Sequence, residues 1–141
     1  LAKELGATHA LNGKNVDVVK EIKDVTNGGT KYAVDTTGVP PVVRQCLQAL
    51  RPLGVAAIVG VTPEMTIDVH NDVMAEGKTM MGVIEGDSVP NVFIPELVDY
   101  YKAGQFPFDK LVEFYEFEDI NKAFEDSKNG VAIKPIVRIA K

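Results

Sequence analysis

The chain has 141 residues, 45% of them hydrophobic and 25% charged, with a formal net charge of -5. That is the composition of one ordinary globular domain, and its acidic balance speaks against nucleic acid or an anionic membrane as partner, since each needs a basic face. Cys46 is the single cysteine, which excludes an internal disulfide scaffold and points to the cytoplasm, and no apolar run approaches the ~20 residues of a membrane-spanning helix.

Residues 1–6 read as the last turn of a helix closed by Gly6, so the chain is expected to be part of a longer polypeptide. No signal-peptide pattern is present. Residues 8–11 form a short β-prone run. Val16, Val19, Ile22 and Val25 recur every three residues, as in an amphipathic helix, with Asn15 as its cap and Asn27-Gly28-Gly29 as its stop. A strand is expected at 31–35, ending in Thr36-Thr37-Gly38. Pro40-Pro41 opens a second helix, where proline costs no hydrogen bond. Its apolar stripe is Val43, Leu47 and Leu50, and residues 51–54 end it. Residues 55–61 are apolar except for Gly60, the mark of a strand covered on both faces in a parallel sheet.

A further strand begins at Thr79 and ends at Ile84, with Met80-Met81 read as packing for a buried strand or an interface. Ile94, Leu97, Val98 and Tyr101 predict a helix closed by Gly104, and 111–115 predicts a strand. Ile120, Ala123, Phe124 and Ser127 give the last helix, with Glu118 and Asp119 in its first turn and Lys128 in its last, as the helix dipole prefers. The final strand is expected at 133–139, at an edge or bulge because of Pro135. Strands alternating with helices predict an α/β fold with right-handed crossovers.

The motifs YAVDTTG at 32–38, LG at 53–54, IVGV at 58–61 and GVI at 82–84, with FPFDKL at 106–111 and the segments 117–123 and 130–139, together resemble the C-terminal part of the zinc-dependent, medium-chain alcohol dehydrogenases. EGDS at 85–88 and the FPFD stretch are most similar to the aryl-alcohol (benzyl-alcohol) dehydrogenases. The resemblance implies a partial doubly wound, Rossmann-like parallel sheet lacking its first two strands, followed by a helix–strand–helix–strand tail. Residues 1–84 would belong to the NAD(P)-binding domain, and 85–141 would be the segment returning to the substrate domain. In the strand order 3-2-1-4-5-6, residues 8–11 would be the third strand, deprived of its neighbours and so displaced, disordered or paired elsewhere. Strand 31–35 would then present an open edge.

The same resemblance implies a cofactor wall. Thr37 and Gly38 would lie beside the adenine ribose. Val59, Gly60 and Val61 would meet the nicotinamide end, with Gly60 allowing close approach to the backbone. Val83 and Ile84 would offer main-chain contacts to the carboxamide, and Glu85 is either a site wall or a solvated turn. Lys134 would reach the pyrophosphate as a point charge. For each the plainer alternative is a turn, a strand end or a solvated side chain. No catalytic residue is assigned. Cys46, His9 and His70 have no metal-ligand spacing, and neither the zinc ligands nor the G-x-G-x-x-G fingerprint is in the chain. The implied parent moves a hydride between NAD or NADP and a primary alcohol or aldehyde, an aromatic one if it follows the aryl-alcohol subgroup. Zinc serves it as Lewis acid, and it is a homodimer through the strand from Thr79 to Ile84. A zinc-free reductase of the same superfamily and a non-catalytic nucleotide-binding module are the alternatives. The isolated chain is expected to be inert.

Overall fold

The chain begins in a tight turn. The Leu5 N–H donates to Leu1 at 2.9 Å, Gly6 to Lys3 at 3.1 Å and Ala7 to Ala2 at 3.0 Å. With Gly6 at φ 105°, this is the bonding pattern that ends a helix on a left-handed residue. The computed structural model describes residues 1–140, in which residues 8–11 form no strand and stay exposed. The β-prone run has no strand beside it to complete its ladder, and so it remains irregular and takes no place in the sheet.

The chain divides into two compact units, Leu1–Ser88 and Val89–Lys141. In the first, helix α1 (Val18–Thr26) is capped by Asp17, which accepts from the Lys20 N–H at 3.1 Å. Asn15 lies two residues too early for that role. Asn27, left-handed at φ 53°, closes the helix. Strand β1 (Thr30–Asp35) leads into α2 (Pro40–Ala49), which has proline at its first turn as expected. Strand β2 (Leu50–Ile58) then starts directly at Leu50, earlier than the sequence predicts. The discrepancy lies in 51–54. The β1–β2 register jumps from Thr30↔Leu50 to Tyr32↔Val55, so these residues bulge out of the ladder instead of capping the helix. Leu53 is left-handed there at φ 60°, and its N–H is held by the Glu76 carbonyl at 2.9 Å.

Strand β3 (Thr79–Gly82) completes a three-stranded sheet in the order β1-β2-β3, parallel throughout. It is two residues shorter than expected, although the Val83 N–H still donates to Ile58 at 2.9 Å. Met80 and Met81 are 39% and 47% exposed, which removes the buried-strand reading for that pair. Among the described residues β1 pairs only with β2, so its other edge is open. The core lies under α2: Val43, Leu47, Leu50 and Ala56 are fully buried, and Ala33, Cys46, Ile58, Ile67 and Val73 pack against the cluster of Leu47, Leu50 and Ala56. Each large side chain buried in this way contributes about 1.5–3 kcal/mol.

A polar tie ends this core. Asp72, on the π-helical turn Val69–Met74, is buried and accepts from Arg44 Nε at 2.8 Å, Gln48 Nε2 at 3.2 Å and the Asp68 N–H at 2.9 Å. Burial pushes its carboxyl up, but these donors outweigh that and hold it below the ordinary value. Nearby, the buried Lys78 ammonium sits 2.7 Å from Glu76.

In the second unit, α3 (Pro90–Lys102) is closed by Gly104 at φ 73°. Strand β4 (Val112–Glu116) crosses through α4 (Ile120–Lys128) to β5 (Lys134–Arg138), its parallel partner. Both strands of so small a sheet are edges, which is where Pro135 is tolerated. Tyr115, Ala123 and Ala132 form a small core with Val137 against it. The Tyr115 hydroxyl donates to Asp126 at 2.9 Å. Burial and that carboxylate push the phenol up to about 12.

Candidate cofactor wall

Parallel strands bring their carboxyl ends to one edge of the sheet, where doubly wound folds bind ligands. Here β1, β2 and β3 deliver Thr37-Gly38, Val59-Gly60-Val61 and Val83-Ile84 to that edge, in register Asp35↔Ile58 and Ile58↔Gly82. Glu85 follows, exposed and left-handed at φ 49°, with Gly86 and Asp87 left-handed after it. Lys134 belongs to the second unit, exposed at the start of β5.

The junction between the first two segments is close. Gly38 is left-handed at φ 65°, and a Cβ on it would overlap the Val61 carbonyl. A Cβ on Gly60 would overlap the Gly38 N–H. The space beside Gly60, which the sequence reading gives to a cofactor ring, is therefore filled by the neighbouring turn. Both glycines exist so that two loops can touch backbone to backbone.

Asp35, whose role the sequence reading did not identify, organises this contact. It is buried, and its carboxylate accepts from the Thr37 N–H at 3.2 Å, the Thr37 hydroxyl at 2.7 Å and the Gly38 N–H at 2.9 Å. Its main-chain carbonyl accepts from the Val59 and Gly60 N–H groups at 2.9 and 3.2 Å. Burial pushes the carboxyl up, and the Thr37 and Gly38 donors reverse this to a net lowering. The available signal was an Asp followed by Thr-Thr-Gly, the pattern of a side chain that bonds its own turn. The Thr37 hydroxyl also accepts from the Val39 N–H at 3.1 Å, so it is committed within the turn.

What remains open at the edge is main chain and apolar surface. Val59, Val61 and Ile84 are 46%, 98% and 83% exposed. Among the described residues no hydrogen bond reaches the Val59 and Val83 carbonyls, and none leaves the Val61 and Ile84 N–H groups. Such a surface fits a flat ring bearing a carboxamide, whose NH2 seeks protein acceptors and whose oxygen seeks a donor.

The donor set does not fit a catalytic metal. His9 is exposed and bonds only its neighbour Thr8, at 3.1 Å, and His70 is exposed on its π-helical turn. The half-buried Cys46 thiol is pushed up by burial and by the Asp35 charge, the opposite of what a metal-binding thiolate needs. Among the described residues, no group of three or more His, Cys, Asp or Glu side chains is placed to hold an ion. No helix among them is long and apolar enough to cross a membrane.

Comparison with known proteins agrees with this architecture. A family model described as zinc-binding dehydrogenase matches residues 1–102. Geraniol dehydrogenase of Castellaniella defragrans is 39% identical over 97% of this chain, which spans 38% of that protein. The crystal structure of benzyl alcohol dehydrogenase from Acinetobacter calcoaceticus is 48% identical, with a TM-score of 0.92 over 99% of this chain and 39% of its own. An alcohol dehydrogenase zinc-binding domain protein from Burkholderia ambifaria is 47% identical, with a TM-score of 0.93 over 99% of this chain and 38% of its own. The chain thus spans about two-fifths of the length of these relatives, and it belongs to the zinc-binding dehydrogenase family, matching the C-terminal part of a medium-chain alcohol dehydrogenase.

Proposed function

We propose that this chain supplies one wall of the nicotinamide-cofactor site of an NAD(P)-dependent alcohol dehydrogenase acting on primary, aryl-type alcohols. The observation that carries the reading is the edge of main-chain groups without hydrogen-bond partners among the described residues, at Val59, Val61, Val83 and Ile84, set at the carboxyl ends of the parallel strands β2 and β3. The names of the similar geraniol and benzyl alcohol dehydrogenases support the substrate class. The bound nicotinamide would accept a hydride from the alcohol carbon as the hydroxyl proton leaves, giving the aldehyde. This chain's part is to bind and orient. The Val59 and Val83 carbonyls would accept from the carboxamide nitrogen, and the Ile84 N–H would donate to its oxygen. The Val61 side chain would shield the ring from water. The Thr37-Gly38 turn would face the adenine ribose, Glu85 would end the wall, and Lys134 would approach the pyrophosphate.

In this reading residues 1–84 complete the cofactor domain and 85–141 return to the substrate domain. The enzyme would work in the cytoplasm as a dimer through the exposed edge of β3 and the adjoining residues up to Ile84. Any zinc would be held by residues beyond this chain, because the donors present here do not fit it.

The test is a spectrophotometric assay of the full-length parent, in which benzyl alcohol should drive NAD or NADP reduction. The 141-residue chain alone should give none above a protein-free blank, with or without added zinc. Turnover by the chain alone would refute the division of labour. An inactive, zinc-loaded parent across aromatic and allylic primary alcohols would refute the substrate class.

A further inference from the structure

We propose that Asp35 is a positioning residue for cofactor binding, clamping the Thr37-Gly38 turn to the Val59–Gly60 loop so that the two together form one rigid wall. The inference rests on the cofactor reading above. Asp35 is 2% exposed, and its carboxylate has no cationic partner among the described residues. An isolated buried carboxylate is costly unless hydrogen bonds replace its water. Here the replacement comes entirely from one turn, through three donors on Thr37 and Gly38. Meanwhile the same residue's carbonyl takes two N–H groups of the next strand's loop. One residue therefore holds both loops, each from a different side.

Charge-assisted bonds of this kind are short and strong, and they fix what the wall presents. They consume the Thr37 hydroxyl and turn the Gly38 N–H inward. The Val59 and Gly60 N–H groups are tied to Asp35 as well, which leaves the Val59 carbonyl open. The left-handed Gly38 and the backbone contact with Gly60 and Val61 complete a junction that has no slack. An asparagine in place of Asp35 would set an NH2 group against an N–H donor and open one side of the clamp.

The experiment has two readouts. In the 141-residue chain, Asp35→Asn should accelerate amide hydrogen exchange at Thr37, Gly38, Val59 and Gly60 and leave β4 and β5 unchanged. In the full-length parent, the same change should raise the cofactor KM and Kd about tenfold, the equivalent of one charge-assisted bond, with kcat at saturating cofactor within about twofold. Thr37→Val, which leaves the carboxylate in place, should raise the cofactor KM by a smaller factor, and Thr37→Ser should restore it. Those two variants test the clamp even where Asp35→Asn fails to fold. Opened amides with unchanged cofactor KM would overturn the inference alone and leave Asp35 a purely structural acid. A wild-type parent that binds no nicotinamide cofactor in calorimetry would overturn the cofactor reading, and the inference with it.

Discussion

The two units handle apolar surface differently. In Leu1–Ser88, α2 lies on a three-stranded sheet and takes Val43, Leu47, Leu50 and Ala56 completely out of water. In Val89–Lys141 the 13-residue helix α3 buries no residue, and the core is one tyrosine and two alanines. Phe106, Phe108, Phe114, Phe117 and Phe124 are 40–70% exposed there. An apolar stripe at helical spacing predicts both α2 and α3. Periodicity tells which face of a helix seeks cover, not whether cover lies within the same chain. A two-stranded sheet with one crossover helix is at the lower limit of what stands by itself. The first unit is accordingly expected to carry most of the chain's stability.

That contrast breaks first at Leu47. Leu47→Ala should cost about 2–5 kcal/mol, felt as faster amide exchange throughout β1 and β2, because a fully buried leucine leaves a cavity. Equal loosening of β4 and β5 would show that the two units share one cooperative core. Gly60→Ala should cost about 1–3 kcal/mol, since the added methyl meets backbone that has nowhere to move. An unchanged denaturation midpoint would mean the Gly38–Gly60 junction is looser than its geometry indicates.

Acid sharpens the comparison. Asp35 and Asp72, both in the first unit, are held below the ordinary carboxylate range. Their folded pKa values lie under the unfolded value of about 3.9. The stability they contribute is therefore complete above about pH 4 and is lost as the pH falls through the lower folded values. Circular-dichroism denaturation at stepped pH should show this loss, and Asp72→Asn should flatten it. A profile identical to wild type would contradict the role of the Arg44–Asp72–Gln48 tie. The smallest effect is in the second unit. Asp126→Asn should bring the Tyr115 phenol down from about 12 toward its ordinary value in an ultraviolet titration. An unmoved transition would remove the Tyr115–Asp126 bond from the account.

Much of the fold was legible. The parallel strands, the proline-opened α2 and the Gly104 stop follow from period and punctuation. What escaped the sequence is tertiary. The Gly38–Gly60 contact depends on the β1–β2 register, and that register contains a bulge at 51–54 which no local pattern announces. Arg44 and Asp72 are 28 residues apart, and the burial of Lys78 depends on an ion pair with Glu76. Residues 8–11 have the composition of a strand, but a strand exists only beside another. Asp35 was visible within its motif, yet its work as a clamp appears only when its carbonyl is seen to take the next loop.

The central claim is that this chain holds one wall of a cofactor site and not the whole of it. Isothermal titration of the 141-residue chain with NAD tests that directly. Without a glycine-rich turn at a helix N-terminus to hold the pyrophosphate, the account predicts a Kd of about a millimolar or weaker, as neutral main-chain bonds to the carboxamide and a single solvated lysine allow. A low-micromolar Kd would contradict it.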